Sequence, residues 1–165
     1  MRSGFSLFEV LIYSAIFALV AGLLIGIFSV VTRIGSGQSM IAEVTSQGGL
    51  VQKTFERIVR ESSTISVAPD GSEITITTSG SPTITRTLKR VGDAIQFDDN
   101  TAPTNFKALT TRAVAITSFT ITKLQNPKNG VAGNVVSAQM NLVLRATKDA
   151  TVTRTFQVTA APLWQ

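Results

Sequence analysis

The sequence predicts an α+β fold, with a long N-terminal helix packed on a C-terminal antiparallel β-sheet. No residue from Val10 to Val31 is charged, and most of them are Leu, Ile, Val, Phe or Ala. Apolar residues then recur at steps of about three and four as far as Val59, which is the spacing of a helix with one buried face. After Gly71 the period falls to two, which is typical of strands with one face buried and the other in water.

The uncharged run is long enough to cross a membrane. At 1.5 Å per residue it would extend about 33 Å as a helix, against a hydrocarbon core of about 30 Å. A cleaved secretory signal has a shorter apolar core and a small-residue cleavage site, and the residues that follow the run lack that pattern. An ordinary single-pass anchor explains the length but not Glu9, the only charge between Phe5 and Thr32. A carboxylate deep in lipid costs about 2–3 kcal/mol, whereas the helix dipole would stabilise it at the membrane boundary.

Helical spacing returns after the apolar run. We expect one helix from about residue 5 to about residue 63, with a flexible point or bend at Gly35-Ser36-Gly37. The pair Gly48-Gly49 should weaken the helix by roughly 1 kcal/mol per glycine. The apolar stripe expected to face the sheet consists of Ile41, Val44, Leu50, Val51, Phe55, Ile58 and Val59.

The opposite face of this helix is charged. It predicts two ion pairs at i,i+4 spacing, Glu56–Arg60 and Arg57–Glu61, each worth about 0.2–0.5 kcal/mol on a solvated surface. A solvated face explains these charges more simply than a binding surface does.

A turn signal, Ala-Pro-Asp-Gly at residues 68–71, opens the predicted sheet. Short turns without an intervening helix favour an antiparallel meander, one face on the helix and the other in water. We expect Phe106, Phe119 and Phe156 in the core and Trp164 as an anchor of the last strand. The predicted strands, rich in Thr, Val and Ile, are Glu73–Thr78, Thr83–Val91, Ala94–Phe97, Ala113–Leu124, Val135–Ala146 and Thr151–Ala160.

Composition excludes several kinds of site. Cysteine and histidine are both absent, which removes disulfides, thiolate nucleophiles, imidazole bases and the commonest zinc ligands. No nucleophile elbow, phosphate loop or histidine-based triad occurs, so we expect no enzyme. The net charge of +5 includes no dense Lys/Arg run and indicates a solvated basic surface.

Two weaker patterns involve charged clusters. The carboxylates of Asp98 and Asp99, or those of Asp70 and Glu73, offer the oxygen ligands that calcium prefers, but Asp, Asn and Gly are also turn residues. Turns are the first interpretation, so we expect no cofactor and keep calcium as the lesser alternative. A second cluster, Arg86, Lys89 and Arg90, could form a basic stripe for DNA, although without interleaved exposed aromatic residues this is weak support for nucleic acid.

The N-terminal residues Gly4-Phe5-Ser6-Leu7-Phe8-Glu9 resemble the processing motif of type IV pilins and of the pseudopilins of type II secretion systems. The resemblance covers about the first 30 residues, and Glu9 is the fifth residue counted from Phe5, where the family has Glu. The amphipathic helix and the meander after it look most like the larger, J-type minor pseudopilins and related minor pilins. The resemblance therefore implies a structural subunit of a pilus or a secretion filament.

The resemblance also implies roles for particular residues. A prepilin peptidase would cut between Gly4 and Phe5, the new Phe5 amine would be methylated, and Glu9 and Phe5 would direct filament assembly. An unpaired charge in a low dielectric is costly, so the Glu9 carboxylate meeting the amine of a neighbouring subunit would fix axial register. The implied segments are a leader (1–4), a transmembrane and assembly helix (5–32), an amphipathic helix continuing into the globular domain (33–68) and an antiparallel β-sheet domain (69–165).

The implied partners are the prepilin peptidase, other pilin or pseudopilin subunits, an inner-membrane assembly platform and membrane lipid. The protein would lie in the cytoplasmic membrane as a single-pass protein, its N-terminus cytoplasmic and its C-terminal domain extracytoplasmic, and in the filament after assembly. Two alternatives stay open: a membrane-anchored extracytoplasmic binding module that does not polymerise, and a subunit of a DNA-uptake pilus. The sequence does not separate secretion from DNA uptake, adhesion or motility.

Overall fold

The computed structural model describes residues 7–79, 82–99, 105–127 and 134–163. It divides the chain into two compact units, Met1–Ser39 and Met40–Gln165. Helix α1, Leu7–Arg60, is 54 residues long and contributes to both units. The α+β class predicted from the sequence is confirmed.

In the first unit every described residue is helical, and none is buried. Hydroxyl groups bond to carbonyls of the preceding turn: Ser14 Oγ donates to Leu11 O at 2.9 Å and Ser29 Oγ to Gly26 O at 2.8 Å. Such bonds satisfy a hydroxyl without any partner from outside the helix. The helix also continues without a break through residues 35–37, where the sequence predicted a flexible point or bend.

In the second unit the remainder of α1 has one buried face, as its apolar spacing predicts. Two members of the predicted stripe are exposed, which corrects the prediction: Ile41 lies before the first buried position, and Leu50 is rotated about 100° from its buried neighbour. The buried residues of α1 are Val44, Gln47, Gly48, Val51, Thr54, Phe55, Ile58 and Val59.

In the described residues eight strands follow, in two antiparallel sheets, each a meander in which sequence neighbours pair. The antiparallel arrangement predicted from the sequence is therefore confirmed, and it is divided between two sheets. The first sheet comprises β1 (Thr64–Val67), β2 (Glu73–Thr77), β3 (Thr85–Val91), β4 (Ala94–Asp98) and β5 (Lys107–Ala108). The second comprises β6 (Val114–Pro127), β7 (Asn134–Ala146) and β8 (Thr153–Ala160).

Strands β1 and β5 are absent from the sequence prediction. β1 begins soon after the end of α1, inside the segment 33–68 that was assigned to helix, and it is too short to show a period of its own. β5 has two residues and pairs only through Lys107 and Ala108 with β4. The helix ends at Arg60, a few residues before the predicted position, and its Arg60 carbonyl accepts a bond from Leu163 N at 3.0 Å.

The two sheets are bonded to one another along β1 and β6. Ile121 N donates to Gly71 O at 2.9 Å, and Lys123 Nζ donates to Ile65 O at 3.0 Å. Gly71 has a φ of +70°, and a Cβ there would lie 3.0 Å from the Ile121 carbonyl oxygen. Glycine is therefore required at this contact for both its backbone conformation and its size.

A single hydrophobic core joins the helix to both sheets. Phe55 of α1, Leu88 of the first sheet and Leu142 of the second are all fully buried in it. Phe119 is also buried, which confirms its prediction, and Phe156 is partly buried against the core. Phe106 is not a core residue, since it is half-exposed and lies beneath the ammonium of a lysine. Trp164 lies outside the described residues.

Candidate functional site

The strongest candidate site from the sequence lies at the N-terminus. Gly4 and Phe5, the predicted cleavage and methylation residues, lie outside the described residues. Glu9 is described: it occupies the first turn of α1 as the structure gives it, and its side chain is exposed. The next charged residue along the helix is Arg33.

Between these two charges the helix presents apolar side chains in every direction. Leu23, Leu24 and Ile25 are consecutive, so they point about 100° apart around the axis, and each is more than half exposed. The most apolar stretch of the helix has a mean hydropathy of 2.6 and no buried residue. The helix is long and apolar enough to span a membrane.

At the other end of α1 an ion cluster connects the helix to the first sheet. Arg86 of β3 donates from Nη1 to Glu61 and from Nε to Asp99 Oδ1 at 2.6 Å. Burial lowers the pKa of Arg86, but hydrogen bonds and charges from Glu61 and Asp99 outweigh it and raise the pKa above its ordinary value. The sequence predicted that Glu61 pairs with Arg57. In the structure Glu61 instead bonds across the domain to Arg86.

The predicted basic stripe does not form on β3. Arg86 and Arg90 pair with Ile76 and Ile95, so they share the inner face of the sheet, whereas Lys89 is on the opposite face.

Each of these cations bonds within the protein. Arg90 donates to the carbonyls of Gly92 and Ile116, at 2.9 and 3.0 Å, and Lys89 Nζ lies 3.7 Å from the centre of the Phe106 ring. The side chains that sequence reasoning grouped as a surface for DNA therefore hold turns and sheets together.

The carboxylates of both acidic clusters bond within the protein: Asp70 lies in the β1–β2 turn, and Asp98 is the last residue of β4. The carboxylate of Asp70 accepts bonds from the Ser72 hydroxyl at 2.7 Å and the Ser72 amide at 3.1 Å, and these bonds lower the pKa of Asp70. Asp98 is buried and accepts from Asn105 N at 3.3 Å, while Asp99 is occupied by Arg86. In the described part of the chain no three acidic side chains are grouped to hold a metal ion.

A buried polar network that the sequence did not reveal fixes the helix against the β5–β6 connection. Gln47 is 6% exposed; its Oε1 accepts from Thr111 N at 2.8 Å, and its Nε2 donates to Thr111 Oγ1 at 2.6 Å and to Glu43. Because every polar group of Gln47 is bonded, its burial costs little and specifies how the connection lies on the helix. A glutamine at an otherwise apolar position of the stripe is the signal that could have identified it.

Beside this network lies a cleft of about 430 Å³ at the ends of the two sheets. Its walls come from the β3–β4 turn, β5, the β5–β6 connection and the β7–β8 connection, and Asp93 and Arg112 are its charged lining residues. Sequence reasoning missed the cleft, because its walls come from segments far apart in the chain.

Comparisons of the chain with protein-family models, curated proteins and solved structures give no match. The structure defines a class of architecture: one apolar N-terminal helix able to span a membrane, followed by an antiparallel α+β domain. That architecture is compatible with a pilin-like protein.

Proposed function

We propose that the chain is a minor pilin or pseudopilin, a subunit of a type IV pilus or of a type II secretion-type filament. In this proposal a prepilin peptidase cuts between Gly4 and Phe5, and the subunit is assembled through its apolar helix. The observation that carries the proposal is Glu9, the only acidic residue between Phe5 and Thr32, in the first turn of a helix whose apolar side chains are exposed on all sides.

The cost of that carboxylate is the physical argument. A charge in an apolar environment is retained when a partner of opposite charge offsets its desolvation, and such a pair specifies register more reliably than it adds stability. Cleavage before Phe5 would create an ammonium that the uncut chain lacks. Glu9 of one subunit and the Phe5 amine of another would then fix how far neighbouring helices slide past each other.

The role of the second unit follows from its construction. Val44 to Val59 of α1 form part of the domain core, so the helix that carries Glu9 is covalently continuous with the sheets. Pulling a subunit by its apolar helix would therefore move a folded domain with it. A filament subunit needs this coupling, and so does an anchored domain.

Mass spectrometry of the mature N-terminus is the first test. We expect a chain that begins with methylated Phe5. An intact Met1 in a cell that contains prepilin peptidase would contradict the proposal and favour a membrane-anchored binding module. The cleft near Arg112 is the structural feature that supports this alternative.

Replacement of Glu9 is the second test. Glu9→Leu should leave membrane insertion intact, because it makes the helix more apolar, and should abolish recovery of the subunit in sheared filaments. Glu56→Gln, which removes a carboxylate from the polar face of the same helix, is the matched control and should assemble normally. Equal incorporation of Glu9→Leu and the unaltered chain would overturn the assembly role.

The particular filament is the finer part of the proposal. A DNA-uptake role gains no support from β3, since Arg86 and Arg90 bond within the protein. Genes encoding a secretion ATPase beside this one would favour secretion, and competence genes would favour DNA uptake.

A further inference from the structure

The two sheets have four edge strands, and they differ in how their edges are protected. β5 has only two residues, and β1 and β6 are bonded to one another through the contacts at Gly71 and Lys123. β8, Thr153–Ala160, has eight residues with no proline, lysine or bulge. Short strands, proline, lysine, inward-pointing charges and bulges are the usual means by which proteins block pairing at an edge; β8 has a single charge, Arg154, and is otherwise an open edge.

The direction of the backbone groups of β8 follows from two hydrogen bonds. Thr147 N donates to Ala113 O, so odd-numbered residues of β7 bond toward β6, and Ala146 N donates to Val152 O, so even-numbered residues bond toward β8. By the same alternation, even-numbered residues of β8 bond to β7. The amides and carbonyls that point away from β7 belong to Thr153, Thr155, Gln157 and Thr159.

The same four residues are exposed, and none of their backbone groups bonds to another described residue outside the strand ladder. Their side chains are hydroxyls and an amide, so this edge carries hydrogen-bonding groups and no charge on its outer face. Such an edge is a template for another extended strand.

We propose that β8 pairs with β8 of a second copy of the chain, antiparallel, about a two-fold axis at Gln157. The strand is complementary to itself in this register: Thr155 lies opposite Thr159 of the second copy, and Phe156 lies opposite Val158. Arg154, the only charge on the strand, lies opposite Ala160, so no like charges meet. The product is a continuous six-stranded sheet, β6-β7-β8 followed by the same strands of the second copy in reverse order.

Self-complementarity is the argument for a second copy rather than an unrelated strand. A two-fold axis uses one surface twice, and in this register each Thr155 lies opposite Thr159 of the other copy while each Arg154 lies opposite Ala160. The inference does not depend on cleavage, methylation or filament assembly.

Site-specific disulfide formation tests the axis, and the absence of native cysteine makes the reporter unambiguous. Gln157→Cys places two thiols on a pair whose Cα atoms lie about 5.5 Å apart, within the range of about 4.4–6.8 Å that a disulfide spans. In membranes that contain the full chain, mild oxidation should give a covalent homodimer that a reductant reverses. Asn141→Cys, the neighbour of Gln157 on β7, is the matched control, because its copies would lie about three strand spacings, roughly 14 Å, apart.

Two further variants test the register. Thr155→Cys and Thr159→Cys should each fail to cross-link alone, since a residue and its copy would be displaced by roughly 13 Å along the strand. Mixing the two variants should produce the heterodimer. Cross-linking of each variant with itself would overturn the proposed register.

The last variant blocks strand pairing at the edge of β8. Proline is tolerated where an edge amide faces away from the sheet, so Thr155→Pro keeps the bonds between β8 and β7. Added to Gln157→Cys, it should reduce dimer yield to the level of Asn141→Cys. A Gln157→Cys chain that forms no dimer, dimerises no more than Asn141→Cys, or couples only to a different protein would overturn the inference.

Discussion

Helix α1 passes through two environments, and the two halves of it differ in every respect except backbone conformation. Phe28, in the first unit, is 72% exposed, whereas Phe55, in the second, is fully buried. A Cβ on Gly26 would meet nothing within 4 Å, whereas one on Gly48 would overlap the ring of Phe156. Helical geometry is compatible with either environment, and the arrangement of apolar residues around the axis decides which one the helix requires.

Truncation of a phenylalanine should have the largest effect, and the effect should differ between the two halves of α1. Phe55→Ala should destabilise the domain by about 3–5 kcal/mol, because it removes buried contacts and leaves a cavity. Phe28→Ala should leave the free energy of unfolding of the domain unchanged. Chemical denaturation of the full chain in detergent micelles measures both, and an equal loss in the two variants would contradict the division.

The glycines provide the second test. Gly48→Ala should destabilise the domain by about 1–3 kcal/mol, because the Phe156 ring must shift to admit the methyl group. Gly49→Ala is adjacent, has open space around its Cβ position, and should be neutral or stabilising by up to about 1 kcal/mol. Thermal unfolding midpoints that fall for Gly49→Ala but not for Gly48→Ala would contradict the packing.

The ion cluster at the end of α1 should matter less. Arg86→Gln should cost about 0.5–1 kcal/mol, since its partners Glu61 and Asp99 are both substantially exposed and screened by water. The loss should shrink when salt is added. Arg57 is an exposed residue of α1 that has no ion pair among the described residues. Arg57→Gln should therefore have no measurable effect.

The smallest expected effect is that of acid on two turns. Hydrogen bonds from Ser72 lower the pKa of Asp70, and bonds from the Thr151 hydroxyl and amide lower the pKa of Asp149. A lowered folded-state pKa stabilises the fold above the ordinary value of 3.8, and that contribution is lost as the pH falls through the lowered pKa.

Asp149→Asn should therefore lower the stability of the domain slightly above pH 4, where the ionised carboxylate contributes, and leave it unchanged in acid below the lowered pKa. Unfolding midpoints collected from acid to neutral pH measure the difference. A loss confined to acid and absent near neutral pH would contradict the sign.

Local patterns predicted most of this fold. The alternation at β2, β3, β4, β6, β7 and β8 gave their positions within a few residues, because neighbouring side chains on a strand face opposite sides. The division into two sheets depends instead on distant bonds, such as those at Gly71 and Arg90, for which the sequence carries no periodic signal. The same reason explains why Glu61 was assigned to a helical neighbour rather than to Arg86.

The candidate sites divide in the same way. The place of Glu9 near the start of an apolar helix follows from the sequence, because composition and spacing are local. The open edge of β8 depends on strand order, and the cleft beside Arg112 on the meeting of several loops. The roles of Gly4 and Phe5 in cleavage and methylation stay predictions.

The contact between Gly48 and Phe156 has a consequence for how the protein is made. Strand β8 packs on α1, and Leu163 bonds to the end of that helix, so the core cannot close until β8 and Leu163 have been synthesised. The apolar half of α1, in contrast, leaves the ribosome first and needs no later residue to form its helix. Translation therefore sets an order of events in which the apolar segment is complete while the residues that close the core are still to be synthesised.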